Sequence, residues 1–169
     1  MEEHPELKKA KRICWRLLAR RDRTEQELAG KLKNKGFDGG IIAEAIDYFR
    51  ELGYLNDRTF ASNQARRLAM GKGYGNRKIA SFLLEKGLSE DIAAEAIIAA
   101  RREWSEGQAL ASLIRKKTTS GNIRDDLKGR QRLVRYLMGK GFPPGLIYET
   151  ITRAEEEDGH DDDSKCNQG

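Results

Sequence analysis

The chain has 169 residues, 38% hydrophobic, 7% aromatic and 35% charged, with a net charge of +5. So modest an apolar content fits several thin cores better than one large one. No apolar stretch nears the length that spans a membrane and no signal peptide is evident, so a soluble, cytoplasmic protein is expected.

Ala, Leu, Ile, Lys, Arg and Glu dominate, β-branched residues form no alternating run, and Pro5, Pro143 and Pro144 are the only prolines. Helix is therefore expected throughout. Leu7, Ala10, Cys14, Leu17 and Leu18 trace one face of a first helix. Cys14 reads there as a small buried hydrophobe, and with Cys166 it follows no metal or redox spacing. Thr24 and Glu27 have the spacing of a capping box that opens a second helix carrying Leu28 and Leu32. Gly36 ends that helix, with Lys35 beside its carbonyl end. Ile41, Ile42, Ala45, Ile46 and Phe49 then stripe a third.

Gly53, Tyr54, Leu55, Asn56 and Asp57 follow. Here Gly53 can end one helix, Tyr54 and Leu55 can pack into a joint, and Asp57 can cap the next helix. A hinge reading of Gly53, Tyr54, Leu55, Asp57 and the following Phe60 is preferred over a contact site. Phe60, Ala61, Ala65, Leu68 and Ala69 mark a fourth helix. Gly71-Lys72-Gly73-Tyr74-Gly75 lacks the spacing of a phosphate loop, follows a helix rather than a strand, and reads as a flexible turn. Leu110, Leu113 and Ile114 mark a later helix, followed by a polar connector over Thr118–Lys128.

The strongest feature is repetition. Lys35-Gly36-Phe37, Lys86-Gly87-Leu88 and Lys140-Gly141-Phe142 share a Lys-Gly-apolar triplet. Before the glycines stand Leu28, Ile79 and Leu133, then Leu32, Leu83 and Leu137; after them come Ile41, Ile92 and Leu146, then Ile46, Ile97 and Ile151. Each unit reads as a three-helix module, because two helices cannot bury both faces alone. The expected fold is all-α, an elongated array of three tandem three-helix repeats over residues 1–55, 56–103 and 104–154, with a disordered acidic tail over 155–169. Three such modules reach about 60–75 Å end to end.

Charge is unevenly spread. Residues 155–163 hold seven acids and no Lys or Arg, whereas residues 1–154 hold 31 basic and 20 acidic side chains, a balance of +11. A basic body suits a polyanionic or acidic partner, although high charge also keeps a thin-cored protein in solution. Basic residues cluster at Lys8, Lys9, Lys11 and Arg12, and again at Arg101-Arg102, Arg115–Lys117 and Arg130–Arg135. Arg20, Arg21 and Arg23 recur in Lys72, Arg77 and Lys78, both sets lying beside the turn before a middle helix. With Arg66 and Arg67 they are the candidate partner or nucleic-acid contacts, forming a basic stripe. His4 and His160 have no catalytic neighbour, and no nucleophile–base pair or metal motif is evident. No enzyme activity, cofactor or metal is expected.

The string LLARRDRTEQELAGKLKNKGF (Leu17–Phe37), then GYLNDRTFA (Gly53–Ala61), Arg66-Arg67, GKGYGNRKIASFLLEKGL (Gly71–Leu88) and the third triplet resemble the RecX family over about residues 10–153. The family usually has an acid where Asn56 stands, and Asp57 keeps the second acidic position. The resemblance implies a non-enzymatic regulator that binds RecA and lodges along the groove of the RecA–DNA filament. Such a protein restrains recombinase, ATPase and co-protease activities. Weak direct DNA binding and a monomeric state go with that expectation. Two alternatives stay open: a stand-alone DNA-binding regulator of helix-turn-helix type, and a helical-repeat adaptor for another protein.

Overall fold

The computed structural model describes residues 4–119 and 127–163, apart from the side chains of Thr119 and of residues 157–163. Most of the expected polar connector, Cys166 and the side chain of His160 lie outside the described residues. Among the described residues there are nine α-helices and no strand. They are α1 (Pro5–Leu18), α2 (Glu25–Lys33), α3 (Gly39–Glu51), α4 (Asp57–Arg66), α5 (Asn76–Glu85), α6 (Glu90–Ala100), α7 (Glu106–Thr119), α8 (Leu127–Gly139) and α9 (Pro144–Asp163). A π-helical turn, Arg67–Gly71, extends α4.

Local chemistry explains where these helices begin. Pro5 opens α1, where its missing N–H is no loss, and His4 Nδ1 accepts from Glu6 N. Asp38 caps α3 by accepting from Gly40 N at 2.8 Å. Ser105 and Gln108 form a reciprocal capping box at α7, in which each side chain accepts from the other's backbone N–H. That Ser-x-x-Gln signature is legible in the sequence but was not among the expected caps.

The helix ends follow the repeat. Gly36, Gly87 and Gly141 have φ of 83°, 83° and 91°, the left-handed turn that ends a helix. The next residue in each case returns its N–H to the leucine five positions before it: Phe37 to Leu32 O, Leu88 to Leu83 O and Phe142 to Leu137 O. The same leucines are fully buried. One residue triplet thus both closes the backbone and seals the core.

The core is divided as the apolar pattern implies. In the first repeat Leu7, Ala10, Cys14, Leu28, Leu32, Ala45, Ile46, Phe49 and Leu55 form one buried cluster. In the third, Leu110, Ile114, Leu133, Val134, Leu137, Phe142, Ile147 and Ile151 form another with Ala109. In the middle repeat Phe60, Ala61, Ala65, Leu68, Ala69, Ile79, Leu83 and Leu88 are buried.

The chain forms two compact units that do not coincide with three equal blocks. One takes the chain up to Ala65 together with Ser81–Ala96, the other Arg66–Ala80 together with the chain from Ile97. The middle repeat contributes to both. Within the stretch expected to be a disordered acidic tail, α9 runs on through Asp163 and Glu155 pairs with Arg130 at 3.3 Å, while residues 164–169 lie outside the described residues. Helix formed from the preceding apolar turns can propagate into polar residues, each added residue gaining one backbone hydrogen bond.

Candidate functional site

Each unit contains one repeat-to-repeat joint, and the two joints share a plan. In the first, Thr24, which is fully buried, accepts from Glu27 N at 3.2 Å and donates its hydroxyl to Lys86 O at 2.6 Å. In the second, Gly75 stands where Thr24 does and donates its backbone N–H to Lys140 O at 2.8 Å. The carbonyl of the lysine before a helix-ending glycine therefore anchors the turn before the previous repeat's middle helix. A carboxylate completes each joint. Asp57 Oδ1 accepts from Glu25 N at 3.1 Å, and Glu106 Oε1 from Asn76 N at 2.7 Å.

Asp57 thus works differently from expectation. Asn56 caps α4, its Oδ1 accepting from Thr59 N at 3.0 Å, while Asp57 turns back to the amide end of α2. Burial, partly offset by the Glu25 N–H, raises the Asp57 carboxyl above its ordinary range. Of the other hinge residues, Gly53 has the expected positive φ of 75°, and Phe60 is buried. Leu55 joins the first core. Tyr54 is not packed into a joint: it is 55% exposed and meets the Trp15 ring edge-on at 4.7 Å.

The joints also explain two glycines. A Cβ on Gly141 would lie 2.5 Å from Lys78 N, and one on Gly75 2.6 Å from Phe142 N. The Gly71–Gly75 segment, expected to be a flexible turn, is in part a close backbone-to-backbone contact. Arg101 holds the same segment, its guanidinium donating to Asn76 Oδ1 at 2.8 Å and to Tyr74 O at 2.6 Å.

Several expected contact residues have structural partners here. Arg21 grips Glu27 with two hydrogen bonds, at 3.0 and 3.1 Å, and Lys86 Nζ reaches the same carboxylate at 2.9 Å. Burial opposes ionisation of Glu27, but the hydrogen bonds and charges of Arg21 and Lys86 outweigh it and hold the carboxyl at about 2. Glu27 therefore serves a three-residue cluster rather than closing the capping box with Thr24. Arg23 Nε donates to Leu17 O. Lys78 Nζ donates to Gly139 O at 2.8 Å, and Lys140 Nζ to Lys72 O at 3.1 Å. The lysines before Gly87 and Gly141 consequently do not sit over their own helix ends.

Others face outward. Arg20, Arg67, Lys72 and Arg77 are exposed, and exposed Arg66 stands 4.0 Å from Glu103. Within the second unit a ladder of cations and rings runs from Lys78 over Tyr74 at 4.7 Å, through Lys140 at 5.1 Å from Tyr74 and 5.6 Å from Tyr136, to Lys117 at 5.0 Å from Tyr136. The four-residue spacing of Tyr74 to Lys78 and of Tyr136 to Lys140 was legible in the sequence, but the links from Lys140 to Tyr74 and from Lys117 to Tyr136 join segments far apart in the chain. Among the described residues no group of three or more His, Cys, Asp or Glu is placed to hold a metal. No helix of the described residues is long and apolar enough to cross a membrane.

Three known domain patterns follow one another along the chain. The patterns described as the first, second and third three-helix domains of RecX match residues 10–49, 56–97 and 105–151. The chain belongs to the RecX family. A regulatory protein RecX of Amycolatopsis mediterranei (strain U-32) is 37% identical over 145 residues, covering 85% of this chain and 82% of that protein. Its namesake from Vibrio cholerae serotype O1 (strain M66-2) is 34% identical over 142 residues, covering 84% and 91%. The crystal structure of RecX from Lactobacillus salivarius superposes with a TM-score of 0.74 at 22% identity, covering 88% of this chain and 96% of that one. This last likeness shows that the all-α RecX fold is shared.

Proposed function

We propose that the protein is a regulator of RecA that binds RecA and the RecA–DNA filament and restrains recombinase, ATPase and co-protease activities. The observation that carries this reading is the succession of all three RecX domains along one chain, in order. It acts by binding, as a monomer in the cytoplasm, and needs no cofactor. Direct contact with bare DNA is weak beside contact with the filament.

The exposed basic residues are the proposed contacts. Arg20, Arg66, Arg67, Lys72 and Arg77 meet filament phosphate or acidic protein surface, whereas Arg21, Arg23 and Lys78 act chiefly by holding the joints. DNA-dependent ATP hydrolysis by RecA tests this. The wild-type protein lowers the rate, and the triple variant Arg20→Glu, Arg66→Glu, Lys72→Glu loses that effect. Exposed substitutions change stability by only about 0.5 kcal/mol each, so circular dichroism should show an unchanged fold. Removal of these contacts also flattens the dependence of binding on salt. A wild-type protein without effect on ATP hydrolysis, strand exchange or filament length overturns the regulator reading. Tight, sequence-selective binding to bare duplex would favour the helix-turn-helix alternative instead.

A further inference from the structure

Apart from those residues, the first repeat carries a groove between α1 and α3 with a volume of about 810 Å³. Lys8, Lys11, Arg12, Trp15 and Tyr48 line it, and none of its lining residues is acidic. Lys8, Lys11, Arg12 and Trp15 follow helical spacing, so they share one face of α1, while Leu7, Ala10 and Cys14 turn into the core. Trp15 stands 41% exposed although its neighbour Cys14 is fully buried. Its ring is held by edge contacts with Phe49 at 5.1 Å and Tyr54 at 4.7 Å. Lys11 Nζ sits 3.7 Å above the centre of the Tyr48 ring.

Helix stability does not account for this arrangement. Lys8 lies in the first turns of α1, near the amide end, where the helix dipole favours acids over cations. The part of a large aromatic ring that stays exposed likewise forgoes the gain of burial. Flat rings flanked by cations and free of acids are the elements of a single-strand binding groove, in which bases stack and phosphates are neutralised. An acidic peptide helix would use the cations too, but it buries aliphatic knobs, and this groove offers rings and lysine stems.

We propose that the α1–α3 groove binds single-stranded polynucleotide, one base stacking on Trp15 while Lys8, Lys11 and Arg12 neutralise the neighbouring phosphates. The site is separate from the RecA contacts proposed above and is tested without RecA.

The full-length protein carrying Trp104→Phe keeps Trp15 as its remaining tryptophan. Titrated at low salt with an oligothymidylate strand of about 20 nucleotides, it should show saturable quenching of tryptophan emission. In anisotropy measurements with a labelled strand, Trp15→Ala should lose about 5- to 100-fold in affinity, with Trp15→Phe retaining most of it. Because Trp15→Ala also removes contacts with Phe49 and Tyr54, the exposed pair Lys8→Gln, Arg12→Gln provides a second variant. It should weaken binding and reduce the slope of log affinity against log salt by about 0.7 for each phosphate no longer neutralised. Unchanged affinity in both variants overturns the proposal. So does a duplex of equal length that binds as well as the strand, because paired bases offer no free face. Polyglutamate of equal charge that quenches and competes as strongly overturns it as well, and assigns the groove to an acidic peptide. Inhibition of RecA that survives any of these results leaves the regulator reading intact.

Discussion

Glu27 is the residue on which the first joint turns. Its carboxylate, held by Arg21 and Lys86, has a folded value of about 2 against an ordinary 4.5. A depressed carboxyl contributes stability that is fully present above its unfolded value and lost as pH falls through the folded one. The Glu27 contribution therefore disappears between about pH 4.5 and pH 2. Asp57 acts in the opposite sense, because burial raises its carboxyl and disfavours its charged form. Wild-type stability against pH thus contains both, and substitution isolates one. Glu27→Gln should cost about 1–3 kcal/mol at neutral pH, as expected for charge-assisted hydrogen bonds, and should flatten the acid limb. Urea melts at pH 7, 4 and 2.5 would read both effects; parallel curves for the two proteins would show that the cluster contributes nothing specific.

At the scale of elements, the helix-ending triplet is the unit of construction, and its three copies are not equivalent. Gly36 has open space where a Cβ would stand, so only its left-handed backbone disfavours a side chain. Gly36→Ala should cost about 1 kcal/mol. Gly141 has the same backbone, but a Cβ there would also stand 2.5 Å from the backbone N of Lys78. Gly141→Ala should cost about 2–4 kcal/mol, backbone strain and overpacking together. Equal losses for the two variants would mean that the joint yields without penalty. The leucines are equivalent where the glycines are not: Leu32, Leu83 and Leu137 are each fully buried. Truncation of any one to Ala should destabilise by about 2–5 kcal/mol in denaturant melts, through the burial forgone plus the cavity left.

For the molecule as a whole, charge separation along the chain is the dominant feature. A body of +11 ends in α9, whose last turns carry the acidic run. That run can compete with phosphate for the basic surfaces and so weaken binding to bare DNA. Truncation after Ala154 should then raise affinity for bare DNA, most clearly at low salt, where screening extends over tens of ångströms. The Arg130–Glu155 pair removed with it is exposed, so stability should hardly change. Identical affinities across a salt titration would show that the run has no masking role.

The sequence by itself determined the all-α fold, the threefold repeat, the buried leucines and the family, because periodicity, capping and glycine turns act within a few residues of one another. Leu32, Leu83 and Leu137 could be placed from spacing alone, since four residues bring side chains to one helix face. The recurrence of Arg21 and Lys78 beside the middle helices was equally visible, but its meaning was not. Only tertiary structure showed that Arg21 belongs to Glu27 and Lys86, that Lys78 closes on Gly139, and that Asp57 serves Glu25 N, 32 residues away in the chain. Such pairings depend on which helices meet, and no local pattern encodes that. The exposed face of Trp15 belongs to the same class, since helical spacing places it beside basic residues but cannot say that Phe49 of α3 meets its ring edge-on and leaves it 41% exposed.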